Sequence, residues 1–320
     1  MNTKRSLLGL MAAVAACALV HGTATAQSDK PISLVVGYSA GGSSDLIARV
    51  IGAELSKRLG RQVIIENVAG ASGMLAAQKV LAAPADGNML YMGGTDTLLV
   101  PLVNPKIKLD WEKDLQVVGR VSTVPMVFAV PAASPHSTLS DLLRSLHKGG
   151  EQANFNYATP GIGTLQHFYG ELIKKQAKVS MVHIPYRGGA QIANDLVGQQ
   201  VDSAMLVLST ALPFLKDGRI KALSVSDSAR VAQLPNVKRI GEEEGFAGMS
   251  MPLWQMIFVK AGTPSTIVSA YEKALLAAAD QADVRTKLLE SGITAAPLGT
   301  QESHVFVAGQ SALLRGIVTS

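Results

Sequence analysis

The chain has 320 residues, 48% of them hydrophobic and 17% charged, with 29 Lys and Arg against 24 Asp and Glu. Such a chain can bury large cores and exceeds the usual size of one domain, so two lobes are expected. Aromatics at 5% and the lack of any Lys/Arg run argue against a nucleic-acid surface.

The first element in chain order is an export signal. Lys4 and Arg5 form a charged start, residues 7–20 an apolar stretch, and Ala24-Thr25-Ala26 a cleavage site, so the mature chain is expected to begin at Gln27 and to be periplasmic. About 14 apolar residues fall short of the ~20 that span a bilayer. Val14-Ala15-Ala16-Cys17 is the alternative, a lipobox that leaves a lipidated Cys17. Cleavage at Ala26 removes the only cysteine, which excludes a disulfide framework or a thiolate metal site. It also removes Lys4 and Arg5, leaving 27 basic against 24 acidic groups and a mild attraction to anions. The six His are scattered, and no metal or cofactor is expected.

A strand at residues 32–38 then runs into Ser39-Ala40-Gly41-Gly42-Ser43-Ser44-Asp45 and a helix that Gly60 stops. Small residues there leave backbone N–H groups uncovered at a helix N-terminus, where an anion is stabilised. A short strand follows at 62–66, a helix capped by Ser72 through 81, and a strand at 88–92. Thr138 with Asp141 opens a helix over 138–147 in capping-box fashion. Strands at 155–158 and 181–184 flank a helix over 164–175, and alternation continues through 192–197, 201–208 and 220–225. This βα rhythm predicts parallel sheets flanked by helices, with ligands bound beyond the carboxyl ends of the strands.

Four loops stand out at such ends: the first turn, 67–73 with Ala71 and Ser72, 93–97 with Thr95 and Thr97, and 157–164 with Thr159, Gly161, Gly163 and Thr164. Together they suggest one cleft lined by amides and hydroxyls. Micromolar binding of a dicarboxylate takes about 8 kcal/mol, more than one helix end at ~0.3–2 kcal/mol supplies, so donors from both lobes are needed. Asp45 reads as a first-turn residue satisfying backbone donors rather than a ligand contact. Arg187 reads equally as a carboxylate clamp or a solvated surface group, His167 as packing or contact, and Asp202 as a ligand contact or hinge structure. Gly37-Tyr38-Ser39-Ala40-Gly41 also matches a nucleophile elbow, with Ser39 as nucleophile and His167, His183 or His304 as base. A hydrolase of that type needs an earlier strand and loop for its oxyanion hole, which the chain lacks before Ile32, so a binding protein is favoured over an enzyme.

Pro31-Ile32, Gly41-Gly42-Ser43-Ser44-Asp45, Ala48-Arg49, Glu66-Asn67, Gly70-Ala71-Ser72-Gly73, Pro84-Ala85-Asp86-Gly87, His183-Ile184-Pro185-Tyr186-Arg187-Gly188 and Gly262-Thr263-Pro264 occur in an order and spacing that resembles the Bug/TctC family, solute receptors of tripartite tricarboxylate transporters. Ala40 stands where that family usually has proline, and Val237-Lys238-Arg239 replaces its usual Val-Pro-Thr. The resemblance implies a type II periplasmic binding-protein fold, α/β, in which two lobes close on a small carboxylated molecule. Lobe 1 is expected at 27–125 and 255–320 and lobe 2 at 126–254, with crossings near 124–131 and 246–259. It further implies a monomer that delivers its ligand to membrane components of such a transporter, or alternatively partners a membrane sensor.

Overall fold

A computed structural model of the chain describes residues 30–149, 154–250 and 252–319. The export signal at 1–26, Cys17 included, and the mature start at Gln27 lie outside the described residues. Eleven strands among those residues form two sheets. The first contains β1 (Ile32–Val36), β2 (Val63–Asn67), β3 (Met89–Gly94), β4 (Leu115–Val124), β10 (Leu253–Lys260) and β11 (Thr294–Leu298), in the order β11-β4-β10-β3-β1-β2. The second contains β5 (Met126–Pro131), β6 (Asn156–Thr159), β7 (Val182–Pro185), β8 (Ser203–Val207) and β9 (Ile220–Val225), in the order β7-β6-β8-β5-β9.

The sheets are mixed rather than wholly parallel, which corrects the expectation from the βα rhythm. β1 runs parallel to β2 and β3, and β6 to β7 and β8, whereas β10 is antiparallel to β3 and β4, and β5 to β8 and β9. The reason is topological: β5 and β10 are the strands by which the chain enters each sheet from the other. A strand arriving from the neighbouring lobe runs away from the junction, while the strands of βα units run toward it. The register shows the shared edge, since Gly94 at the end of β3 faces Gln255 near the start of β10, and Val207 at the end of β8 faces Met126.

Helix α1 (Ser43–Leu59) illustrates how sequence becomes packing. Ile47, Ile51 and Leu55 recur every fourth residue and are all buried, and the helix ends on Gly60 at φ 63°, a conformation that costs glycine no Cβ clash. β5 is buried on both faces, with Val127 and Ala129 in one apolar cluster and Met126, Phe128 and Val130 in the other. Pro125 alone separates β4 from β5, and its carbonyl accepts the Leu208 N–H at 2.8 Å. The helix expected from Ser72 begins later: α2 (Met74–Ala82) has Gly73 at its N-cap, and Ser72 sits in a 3₁₀ turn at φ 55°. The remaining helices are α3 (Thr95–Val103), α4 (Trp111–Asp114), α5 (Leu139–Gly149), α6 (Leu165–Ala177), α7 (Gly189–Val197), α8 (Leu208–Lys216), α9 (Ser265–Ala279), α10 (Ala282–Glu290) and α11 (Thr300–Thr319).

Candidate functional site

Four helix N-termini meet where the two sheets face each other. α1 follows Gly42, α3 follows Gly94, α7 follows Gly188 and α8 follows Val207, and none of these four N-cap residues accepts a helix N–H through its side chain, although Thr97 takes the Gly94 N–H. Gly42, Gly94, Gly189 and Val207 all line one interlobe cavity of about 40 Å³. The first N–H groups of a helix have no partner inside it and carry its partial positive charge, so each start attracts an anion by ~0.3–1 kcal/mol. Ser43, Ser44, Thr95 and Thr210 add hydroxyls to the wall, and among the described residues no Lys, Arg or His side chain contributes to it. An anion held here meets backbone dipoles and hydroxyls instead of a counter-charge.

Asp96 is the one charged side chain in that wall among the described residues. It is buried, accepts the Leu165 N–H at the start of α6 at 2.8 Å, and accepts a hydrogen bond from the Tyr38 hydroxyl. Burial pushes its carboxyl up to about 6, against the lowering effect of the Tyr38 and Leu165 hydrogen bonds. Burial and the neighbouring Asp96 also push the Tyr38 phenol well above its ordinary range. Because Asp96 belongs to α3 and Leu165 to α6, this carboxylate ties one lobe to the N-terminus of a helix in the other.

The sequence-predicted residues divide into groups. Gly42, Ser43, Ser44 and Thr95 line the cavity, whereas Ala71, Ser72, Gly161 and Arg187 line an open groove of about 620 Å³ beside it. In that groove the Ser72 hydroxyl donates to the Ile162 carbonyl at 2.7 Å, a second bond between lobes. Ser39 donates to the Arg187 carbonyl through its N–H at 3.5 Å and its hydroxyl at 3.4 Å, a third. Gly41 gives its N–H to Asp45 at 3.0 Å, and Ala40 precedes it in an exposed turn.

Asp45 does what a first-turn carboxylate does. It is bidentate with Arg49 at 2.9 and 3.0 Å, and although burial works to raise it, Arg49, the Gly41 N–H and Asn67 hold it below the usual carboxylate range. Thr97 accepts the Gly94 N–H at 3.1 Å and meets the Tyr91 hydroxyl at 3.2 Å, so its hydroxyl serves the turn. Asp202 and Asn156 exchange two backbone-to-side-chain bonds at 2.8 and 2.9 Å at the amino-terminal ends of β8 and β6. That is the edge away from the cavity, because strand direction puts Asp202 at the opposite end of the sheet, where it serves the β6–β8 pairing.

The 161–164 turn also departs from expectation. Thr164 caps α6 by accepting the His167 N–H at 3.3 Å and donates to the Gly161 carbonyl at 2.8 Å, while Thr159 pairs with His183 at 2.7 Å. With Leu165 N–H already given to Asp96, this helix start has its carboxylate from within the protein. Gly163 is a closure position instead: at φ +79°, its Cβ would stand 2.6 Å from Val103 of the facing lobe. A Cβ on Gly161 would likewise stand 2.5 Å from the Ser72 hydroxyl. His167 accepts the Gly163 N–H at 3.3 Å and packs on His183 with ring centroids 4.3 Å apart; burial lowers both, His183 to about 4. His304 packs on Trp111. The histidines considered as bases for Ser39 are thus engaged with other partners.

Sequence reasoning missed Asp96, the starts of α7 and α8, and the glutamines Gln166 and Gln255. Gly188-Gly189 after a strand repeated the small-residue signal of the first turn and could have been found. The glutamines carry no spacing signal at all.

Comparison with known proteins follows the same lines. A family model, TctC, the tripartite tricarboxylate transporter family receptor, matches residues 47–320. The UPF0065 protein in the tcbD-tcbE intergenic region of Pseudomonas sp. (strain P51) is 30% identical over 293 residues, 92% of this chain and 87% of that protein. MatC from Rhodopseudomonas palustris, solved with bound malate, is 29% identical with a TM-score of 0.84, covering 90% of this chain and 98% of that one. Rpa4515 of R. palustris, solved with adipate, is 26% identical with a TM-score of 0.85, covering 90% and 96%.

Proposed function

The chain belongs to the tripartite tricarboxylate transporter receptor (TctC) family, and we propose that it closes two lobes over one small carboxylate and presents it to the membrane components of such a transporter. It is a periplasmic solute receptor of the two-lobe binding-protein fold. The lobes are 27–125 with 255–320, and 126–254, a division supported by the membership of the two sheets. One observation carries the carboxylate reading: the starts of α1 and α3 from one lobe, and of α7 and α8 from the other, line one cavity that has no cationic side chain among the described residues. Several weak donors in two lobes give an anion its affinity only when the lobes come together, so binding and closure are one event. Malate and adipate, bound by the related receptors, are acids of this class.

Thermal-shift measurements against a panel of di- and tricarboxylates, with their methyl esters as controls, test the reading. A ligand at 100 times its dissociation constant stabilises by about 2.7 kcal/mol. Acids that stabilise while esters do not are expected; a panel in which no acid raises the melting temperature would refute it.

A further inference from the structure

Three polar atoms in the cavity wall are buried and lack a hydrogen-bond partner: Gln166 Oε1, Thr210 Oγ1 and Gln255 Oε1. Their residues are 4%, 7% and 2% exposed. They come from both lobes, Gln166 from α6, Thr210 from α8 and Gln255 from β10. The other end of the Gln255 amide is spent, since its Nε2 donates to the Ser44 hydroxyl at 2.6 Å. Two amide oxygens and a hydroxyl therefore remain. An amide oxygen only accepts, and so does an ionised carboxylate. A carboxylate oxygen or a methylene set against these glutamines leaves them unsatisfied, and a buried unsatisfied polar group is costly in a low-dielectric interior. An O–H or N–H on the ligand satisfies them. Asp96, the charged group of that wall, adds acceptor character on the same side of the balance.

Resting on the carboxylate reading above, we infer that the cavity selects an acid whose carbon chain bears a hydrogen-bond donor, a hydroxyl or an ammonium, and that the amide oxygens of Gln166 and Gln255 read that donor, while the Thr210 hydroxyl can also donate to a carboxylate. The helix N-termini hold the carboxylates, which every acid of suitable length offers alike. Discrimination falls to the two glutamine oxygens. Leaving one such acceptor unpaired corresponds to roughly 5- to 150-fold in affinity, at 1.4 kcal/mol per tenfold.

Titration calorimetry with succinate, malate and aspartate tests this, because the three share one four-carbon skeleton and differ only in carrying hydrogen, hydroxyl or ammonium. Tricarballylate against citrate repeats the comparison on a larger skeleton. The expected result is a donor-bearing member binding at least tenfold tighter than its donor-free counterpart, with malate or citrate identifying a hydroxyl and aspartate an ammonium. In Gln255→Met and Gln166→Met, each checked for an unchanged circular-dichroism spectrum, the preference should fall below about threefold, mainly through weaker binding of the donor-bearing acid. Two variants on different lobes guard against one that misfolds. Succinate and tricarballylate binding as tightly as their counterparts in the wild type would overturn the inference and leave the carboxylate reading standing. So would a preference unchanged in both folded variants. Failure of all five acids to bind would overturn both.

Discussion

Replacing Asp96 by Asn should make the protein more stable at neutral pH and change little in acid. The substitution keeps the local geometry: an Asn carbonyl still accepts the Leu165 N–H, and its amide can donate to the Tyr38 oxygen. What it removes is a buried negative charge. Burial raises the Asp96 carboxyl from 3.8 to about 6. A carboxyl whose folded pKa lies above its unfolded one contributes stability that is complete below about 3.8 and is lost as pH rises through about 6. A rise of roughly 2 units at 1.36 kcal/mol per unit puts the loss near 3 kcal/mol by pH 8. At about 2–4 °C per kcal/mol for a domain of 150–250 residues, Asp96→Asn should gain several degrees over wild type at pH 8 and converge with it near pH 4. Circular-dichroism melts of both proteins at half-unit steps from pH 4 to 8 give the curve. A gap that stays constant across that range, or widens toward acid, would show that Asp96 is not a buried charge carried at a cost.

Gly163→Val should weaken carboxylate binding at least tenfold, because its Cβ meets Val103 across the lobes and a branched residue is strained at φ +79°; small-angle scattering should show the variant failing to compact with ligand. Arg187→Ala should change affinity by less than about 0.5 kcal/mol, since Arg187 lines the outer groove and its main-chain carbonyl is what Ser39 engages; calorimetric loss beyond 1.5 kcal/mol would make it a carboxylate clamp. His183 titrates in the opposite sense to Asp96. Its folded value is lowered to about 4, chiefly by burial and then by His167, so stability present above 6.5 is lost as pH falls from about 6.5 toward 4. His183→Gln should flatten the acid limb of the melting curve over that window.

The parts of this fold legible from sequence are those where backbone conformation dictates residue type. Gly60 at the end of α1, Thr138 ahead of α5, and Gly41 in the turn between β1 and α1 are readable because few other residues fit those angles or caps. The direction of β5 and β10 is not written in their side chains, since both are mainly apolar and suit a buried strand of either polarity. The candidate site divides in the same way. Helix starts rich in small residues announce themselves, and the one after Gly188 follows the same rule as the one after Gly42. Asp96 could not be found by a search for anion sites, since a carboxylate at such a site looks like an error until its donors, Tyr38 and Leu165, are placed around it. Gly161 and Gly163 were visible as special positions, but the neighbour that requires their missing Cβ is in the facing lobe, 60 or more residues away in the chain.

Pro125, the single residue between β4 and β5, limits how the two halves can move. Its ring fixes φ near −65°, and the residue before a proline is held to extended angles, so Val124 and Pro125 together have almost no torsional slack. With its carbonyl tied to Leu208 N–H, this crossing cannot act as a free swivel. The second crossing reaches β10 after a long stretch beyond β9, but β10 is paired along β4 over its whole length and shares the stiffness of that strand. Both crossings therefore lead into strands fixed inside a sheet, β5 between β8 and β9 and β10 between β4 and β3, which restrains how the halves turn about each other. A molecule jointed in this way passes through a small set of related outlines, so its shape reports how far its halves have closed.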